Sequence, residues 1–141
     1  MKRTILLVIA LALVLVLTGV SQTPSGPKHR VVFQLNEPVG DAWDDVIVHA
    51  TNLRAAFSKD GGSQVEIVFF GDGINMLLKT NTRFAARLQQ LADAGVTLAA
   101  CQNAMRGRDL KTEDLFPFAT QVDAGVAELA RKQEAGWAYI H

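Results

Sequence analysis

Val96-Thr97-Leu98-Ala99-Ala100-Cys101-Gln102-Asn103-Ala104-Met105-Arg106-Gly107-Arg108 contains the change of pattern on which the fold turns. The apolar run up to Ala100 reads as a β-strand, and the polar, cationic stretch beyond Cys101 opens a helix. Strand, turn and helix in that order are the unit of a parallel α/β sheet, in which ligands bind outside the carboxyl ends of the strands. Cys101, the one cysteine of the chain, falls at such an end. A thiol there lies near backbone N–H groups and guanidinium charge, both of which favour the thiolate. The same position fits a second reading, because free cysteine is among the most buried residue types and acts as a small hydrophobe. A lone thiol in an exported chain nevertheless calls for a reason.

The alternation continues on either side. Arg30 to Leu35 is rich in β-formers and is broken by Pro38-Val39-Gly40. Asp41 then caps a long helix with Trp43, Val46, Ile47, Ala50, Leu53, Ala56 and Phe57 at helical spacing, stopped by Gly61-Gly62. Gln64 to Phe70 forms a second strand closed by Gly71-Asp72-Gly73, and Ile74 to Lys79 forms a short helical turn. Asn81 or Thr82 starts a helix with Phe84, Ala85, Leu88, Leu91 and Ala92 on its apolar face, and Gly95 ends it. After the Cys101 strand comes an irregular polar stretch with Pro117 and a helix from about Asp123 to Glu134. Trp137 to Ile140 then reads as a final edge strand. The pattern predicts an α/β domain with a mostly parallel sheet and helices on both faces.

Four segments then meet at the strand ends: Asn36 to Asp41, Gly71 to Asn75, Cys101 to Arg106, and the stretch before Pro117. Gly71 and Gly73 let the backbone approach a ligand closely, or make a tight turn and nothing more. Asn36 and Asp41 fit turn and cap roles, with Asn36 a candidate crevice residue. His49 sits at the boundary of the first helix, and Met76 and Met105 read as packing.

The first residues read as an export signal. Lys2 and Arg3 form a basic start, Ile5 through Leu17 is an uncharged apolar run, and Thr18 to Ser21 supplies small residues for cleavage. The run is shorter than the roughly 20 residues that span a bilayer, so cleavage after Ser21 is expected, with an uncleaved anchor as the alternative. Val20 stands where a lipoprotein would carry its cysteine. The expected organisation is a signal peptide over 1–21, a flexible lead over 22–29 and one domain over 30–141. Without its signal the chain carries 12 basic and 14 acidic side chains, a net charge of −2 and no electrostatic footprint for nucleic acid. One cysteine excludes an intrachain disulfide and a cysteine-rich zinc site, and His29, His49 and His141 show no ligand spacing. Neither a metal nor another cofactor is expected.

Over nearly all of the chain from Arg30 onward, the sequence resembles the DsrE/DsrF-like family of small sulfur-relay proteins, in its exported single-domain branch. The resemblance is carried by Val31-Val32-Phe33-Gln34-Leu35-Asn36, by Val96 to Cys101 with Asn103 two residues later, and by the closing Gly125 to Ile140. It implies a flavodoxin-like fold, a trimeric or hexameric homo-oligomer, and a cysteine that carries persulfide sulfur, which carries over directly to Cys101. Relay members work in the cytoplasm with dedicated partners, whereas this chain reads as exported, so donor and acceptor stay open.

A sulfur carrier needs one nucleophilic thiolate and no neighbouring cysteine to resolve its persulfide as a disulfide. Cys101 meets the second condition by arithmetic. Asn103 and Ala104 are candidate N–H donors, and Arg106 and Arg108 candidate cations. The expected function is an exported sulfur carrier or sulfurtransferase. The alternative is a non-enzymatic ligand-binding or oligomeric interaction protein with a structural cysteine.

Overall fold

The computed structural model describes residues 26–141. The segment 1–21 expected to be a signal peptide and residues 22–25 of the expected lead lie outside the described residues. Strands β1 (His29–Leu35), β2 (Ser63–Phe69), β3 (Thr97–Cys101), β4 (Thr120–Val122) and β5 (Ala138–Ile140) form one sheet in the order β4-β3-β2-β1-β5. Every pairing is parallel, which makes this a flavodoxin-like α/β domain. β2 is central and buried from Val65 to Phe69, as a strand covered on both faces must be.

The two faces are covered unequally. Helices α1 (Asp41–Phe57) and α2 (Thr82–Asp93) lie on one of them, where Trp43, Ile47, Phe84 and Leu88 join Val31, Phe33, Ile67 and Leu98 in the main core. Helix α3 (Gln102–Arg106) is a single short turn after β3 that buries Met105. Helix α4 (Gly125–Glu134) leads from β4, at one edge, to β5, at the other. On its way it covers the second face, where Leu129 and Trp137 close over Val32, Val68 and Ala99.

Several boundaries differ from expectation. Gly40, not Asp41, is the N-cap of α1, and no side chain caps it. Asp41 and Asp44 instead occupy the first turn, where the helix dipole favours negative charge. Asp44 also ties α1 to α2 by pairing with Arg83 at 2.8 Å and with Arg87. The helical turn expected over 74–79 is a 3₁₀ segment, Gly71–Leu77. β4 has no counterpart in the sequence reading, because three residues are too few to display an alternation. α4 begins two residues later than expected, since Asp123 turns outward to Arg131 at 2.7 Å.

One charged side chain is buried among the described residues. Glu66, in the middle of β2, is only 4% exposed on the face under α4. Its Oε2 meets Lys132 Nζ at 2.6 Å, while Oε1 has no hydrogen-bond partner. Burial pushes its carboxyl above the usual range, against the opposing pull of Lys132.

The end of β1 and the start of the 3₁₀ segment are knitted together by backbone. Phe70 N–H donates to Leu35 O at 3.1 Å, and Asp72 N–H to Asn36 O at 3.1 Å. Gly73 is pressed so closely on β1 that a Cβ there would lie 2.1 Å from Leu35 O. Backbone cannot yield as a side-chain tip does. Gly73→Ala is therefore expected to destabilise the domain by about 3 kcal/mol or more. Equilibrium denaturation checks this, and an unchanged midpoint would show that the segment can move away from β1.

Candidate functional site

Cys101 closes β3 and is at the same time the N-cap of α3, in extended backbone geometry. That double role follows from the sequence, where an apolar strand runs without a break into a helix-forming turn. The thiol faces the sheet surface that carries Val68, Ala99 and Val122, and it looks toward the start of α4. Two backbone donors converge on it. Ala104 N–H, from α3, points at Sγ from 3.5 Å, and Gly125 N–H, from α4, from 3.1 Å. Sulfur is a weak acceptor when neutral and a much better one as an anion, so such donors act mainly on the charged form.

The thiol lines a crevice of about 320 Å³ at the carboxyl ends of the strands. Phe70 and Gly71 form one wall, Asn103, Ala104 and Arg108 another, and Ala124, Gly125 and Val126 the third. Cys101 itself is 4% exposed, so the sulfur sits at the bottom of the crevice. At the rim Val126 is 66% exposed, an apolar side chain left in solvent beside the thiol.

The cation in this crevice is Arg108. Its Nη2 pairs with Asp72 Oδ1 at 2.7 Å and its Nη1 donates to Ala104 O at 3.4 Å, which fixes the guanidinium over α3. Arg106 turns the other way. It bonds Asn103 Oδ1 and lines a separate crevice of about 410 Å³ with Gln102, Lys111 and Gln121. Of the residues singled out from sequence, Cys101, Asn103 and Gly71 share the thiol crevice. Arg106, Asn36 and Gly73 are not among the residues that line it. Asn36 is exposed at the end of β1, and Gly73 is buried in its contact with Leu35.

The thiol crevice is completed by Ala124 to Val126, while the stretch before Pro117 supplies Leu110 to Glu113 to the neighbouring crevice that Gln102 and Arg106 line. Gly125 had no motif to announce it. Its one sequence signal was position, directly after Asp123-Ala124 at the head of an amphipathic run. A Cβ at Gly125 would lie 3.0 Å from Phe70 Cβ and 3.1 Å from the ring, so glycine lets the backbone come close enough to reach Sγ. His49 is exposed on α1, while Met76 and Met105 are buried. A crevice of about 350 Å³ between α1 and α2, lined by Ile47, Thr51, Arg87 and Leu91, holds no nucleophilic side chain beyond the Thr51 hydroxyl. That hydroxyl is spent on Ile47 O at 2.7 Å. Among the described residues no three His, Cys, Asp or Glu side chains cluster as a metal site.

A parallel five-stranded sheet with a cysteine at its carboxyl edge defines a flavodoxin-like domain with a thiol site. The DsrE/DsrF-like family model matches residues 30–141, and the chain belongs to that family. Membership suggests a sulfur-relay role in general terms. Two solved structures are similar. The protein of unknown function MTH1491 from Methanobacterium thermoautotrophicum is 27% identical, with a TM-score of 0.69 over 80% of this chain and 98% of that one. The ychN protein from E. coli is 16% identical, with a TM-score of 0.68 over 79% of this chain and 97% of its own, a likeness of fold. No curated protein matches the chain.

The Gly125–Phe70 contact generates a test of the site's geometry. Gly125→Ala is expected to push the head of α4 away from Phe70, at a cost of about 1–3 kcal/mol. Native-state alkylation of Cys101 is expected to slow as its N–H donor withdraws. Gly125→Ala combined with Phe70→Ala opens the space and recovers most of the rate. Alkylation of the single variant at the wild-type rate would show that this N–H does not govern the thiol.

Proposed function

We propose that this protein is a sulfur carrier in which Cys101 takes up a sulfane sulfur as a persulfide and passes it to an acceptor thiol. The observation that carries the reading is the convergence of two N–H groups, from α3 and α4, on one sulfur at the base of a crevice. In the uptake step Cys101-S⁻ attacks the outer sulfur of a donor persulfide, R-S-SH. A new S–S bond forms on Sγ, the donor's S–S bond breaks, and R-S⁻ leaves with the electron pair and accepts the proton. In the second step an acceptor thiolate attacks the terminal sulfur, and Cys101-S⁻ is the leaving group. No net oxidation occurs, so neither step needs a cofactor. The terminal sulfur is anionic at neutral pH, and the Arg108 guanidinium on the crevice wall supports that charge.

With no second cysteine in the chain, the persulfide has no intrachain thiol to collapse onto. Incubation with glutathione persulfide followed by intact-mass measurement is expected to add about 32 Da, one sulfur, per subunit. Cys101→Ser is expected to abolish the adduct with its thermal midpoint retained. The low exposure of Cys101 favours a second reading, a structural thiol in an interaction protein. A wild-type protein that gains no sulfur, and whose thiol reacts only in denaturant, would establish that reading instead.

We further propose that the protein works outside the cytoplasm as a closed homo-oligomer, trimeric or hexameric as the family resemblance implies. Support for export comes from Lys2, Arg3 and the apolar run to Leu17. No helix among the described residues is long and apolar enough to cross a membrane. Support for assembly comes from β5, an edge strand whose Tyr139 and Ile140 are exposed, a hazard unless another surface covers them. Protein purified from an exporting host is expected to begin near Gln22 and to sediment as an assembly. Intact Met1 in the membrane fraction, or a monomer at micromolar concentration, would overturn the corresponding half.

A further inference from the structure

The buried carboxylate on β2 belongs to no part of the carrier reading, and a fold gains little stability from it. An ionised group at 4% exposure, paired on one oxygen and unpartnered on the other, is costly to bury. What it grips is informative. Lys132 lies seven residues beyond Gly125 on α4, two helical turns or about 10 Å along the axis. Its Nζ reaches Glu66 Oε2 at 2.6 Å and Glu128 Oε1 at 3.4 Å, and stands 4.2 Å over the Trp137 ring. α4 has few apolar anchors of its own, since Leu129 is buried and Val126 is exposed. The polar grip therefore has leverage over where the helix sits, and the head of that helix is the donor to Cys101.

We propose that Glu66 is the positioning residue of the thiol crevice: through Lys132 it fixes α4 on the sheet and so holds the Gly125 N–H against Cys101 Sγ. The register neighbours of Glu66, Val32 and Thr97, carry no charge. The charged groups that face it are Lys132 and Glu128, both on α4. The grip thus acts on that one helix and on no other element. This inference rests on Cys101 being the working atom of the proposed function, but alkylation reads its geometry without any sulfur donor.

Iodoacetamide alkylation of native Cys101 is measured against pH in the full chain and in Glu66→Gln, Lys132→Met and Lys132→Arg. Glu66→Gln and Lys132→Met are expected to slow the reaction about threefold to tenfold at neutral pH and to move its profile to higher pH. Lys132→Arg keeps the cation and stays close to wild type. Thermal midpoints separate positioning from stability. Burial raises the proton affinity of Glu66 in the folded state, so its contribution falls as pH rises above 4.5, the ordinary carboxyl value. Glutamine does not titrate, so the difference in melting between Glu66→Gln and wild type is expected to shift in favour of wild type as pH falls toward 4.5. Alkylation profiles of Glu66→Gln and Lys132→Met that coincide with wild type would overturn the proposal. If the profile moves but no sulfur is ever taken up, the carrier function falls and the positioning role stands. If sulfur is taken up while the profiles coincide, the reverse holds. Should Lys132→Met fail to fold, Glu66→Gln decides alone.

Discussion

The buried central strand imposes the constraint from which the rest of the architecture follows. β2 is inaccessible from Val65 to Phe69, so both faces of the sheet need a cover. The connections β1-α1-β2 and β2-α2-β3 place two helices on one face. That leaves the second face to the link between β4 and β5, which lie at opposite edges. One helix must therefore start beside β3, cross the sheet and end beside β1. Because parallel strands deliver their chain at the carboxyl edge, α4 begins at the level where β3 ends in Cys101. The meeting of Gly125 with the thiol is thus a product of topology. The glycine supplies only the last few tenths of an ångström, by giving Phe70 nothing to strike.

Much of this was readable in the chain and some of it was not, for physical reasons. β1, α1, β2, α2 and β3 have long periodic patterns, with stretches such as Val31-Val32-Phe33 and Phe84, Leu88, Leu91 that leave little choice of structure. Thr120-Gln121-Val122 has neither length nor alternation, and its strand identity comes from pairing with Ala99 to Cys101. The strand-end position of Cys101 was legible, since it depends on a local change of pattern. The partners of its sulfur were only half so. Ala104 lies three residues away along the chain, within reach of a capping argument, while Gly125 lies 24 away and arrives by tertiary packing. Arg106 and Arg108 are two residues apart in a short turn, and which of them faces the crevice depends on the partner that captures each. Asp72 holds Arg108, and Asn103 holds Arg106.

A cysteine used as a small hydrophobe asks only for apolar neighbours of matching volume. Cys101 has some: Phe70 lines the same crevice, and Val122 is its register partner on β4. Two N–H donors aimed at the sulfur add nothing to that role, because a neutral thiol rewards them poorly. They matter once Sγ carries charge, as it does in the thiolate that attacks a donor and in the thiolate that leaves when sulfur is passed on. Burial and anion support pull in opposite directions at this position. Cys101, a residue only 4% exposed, is shielded from solvent reductants and oxidants, yet only a crevice wide enough for a donor lets its thiol react. The opening of about 320 Å³ beside it reconciles the two demands.

The walls of the crevice set the charge and polarity that a molecule entering it would meet. Val126 is exposed at the rim, a single apolar side chain beside the thiol, and one such residue is ordinary on a protein surface. Inside, Arg108 is paired with Asp72 at 2.7 Å, so its guanidinium offers local support to one anionic sulfur and no strong net field for a multiply charged small anion. Under the proposed carrier function, these walls suit a singly charged thiol or persulfide better than a free polyanion. Approach from solvent also passes the head of α4, where backbone and sulfur meet. Any partner that seats on Val126 therefore bears on the same helix that Lys132 and Glu66 hold from the other end.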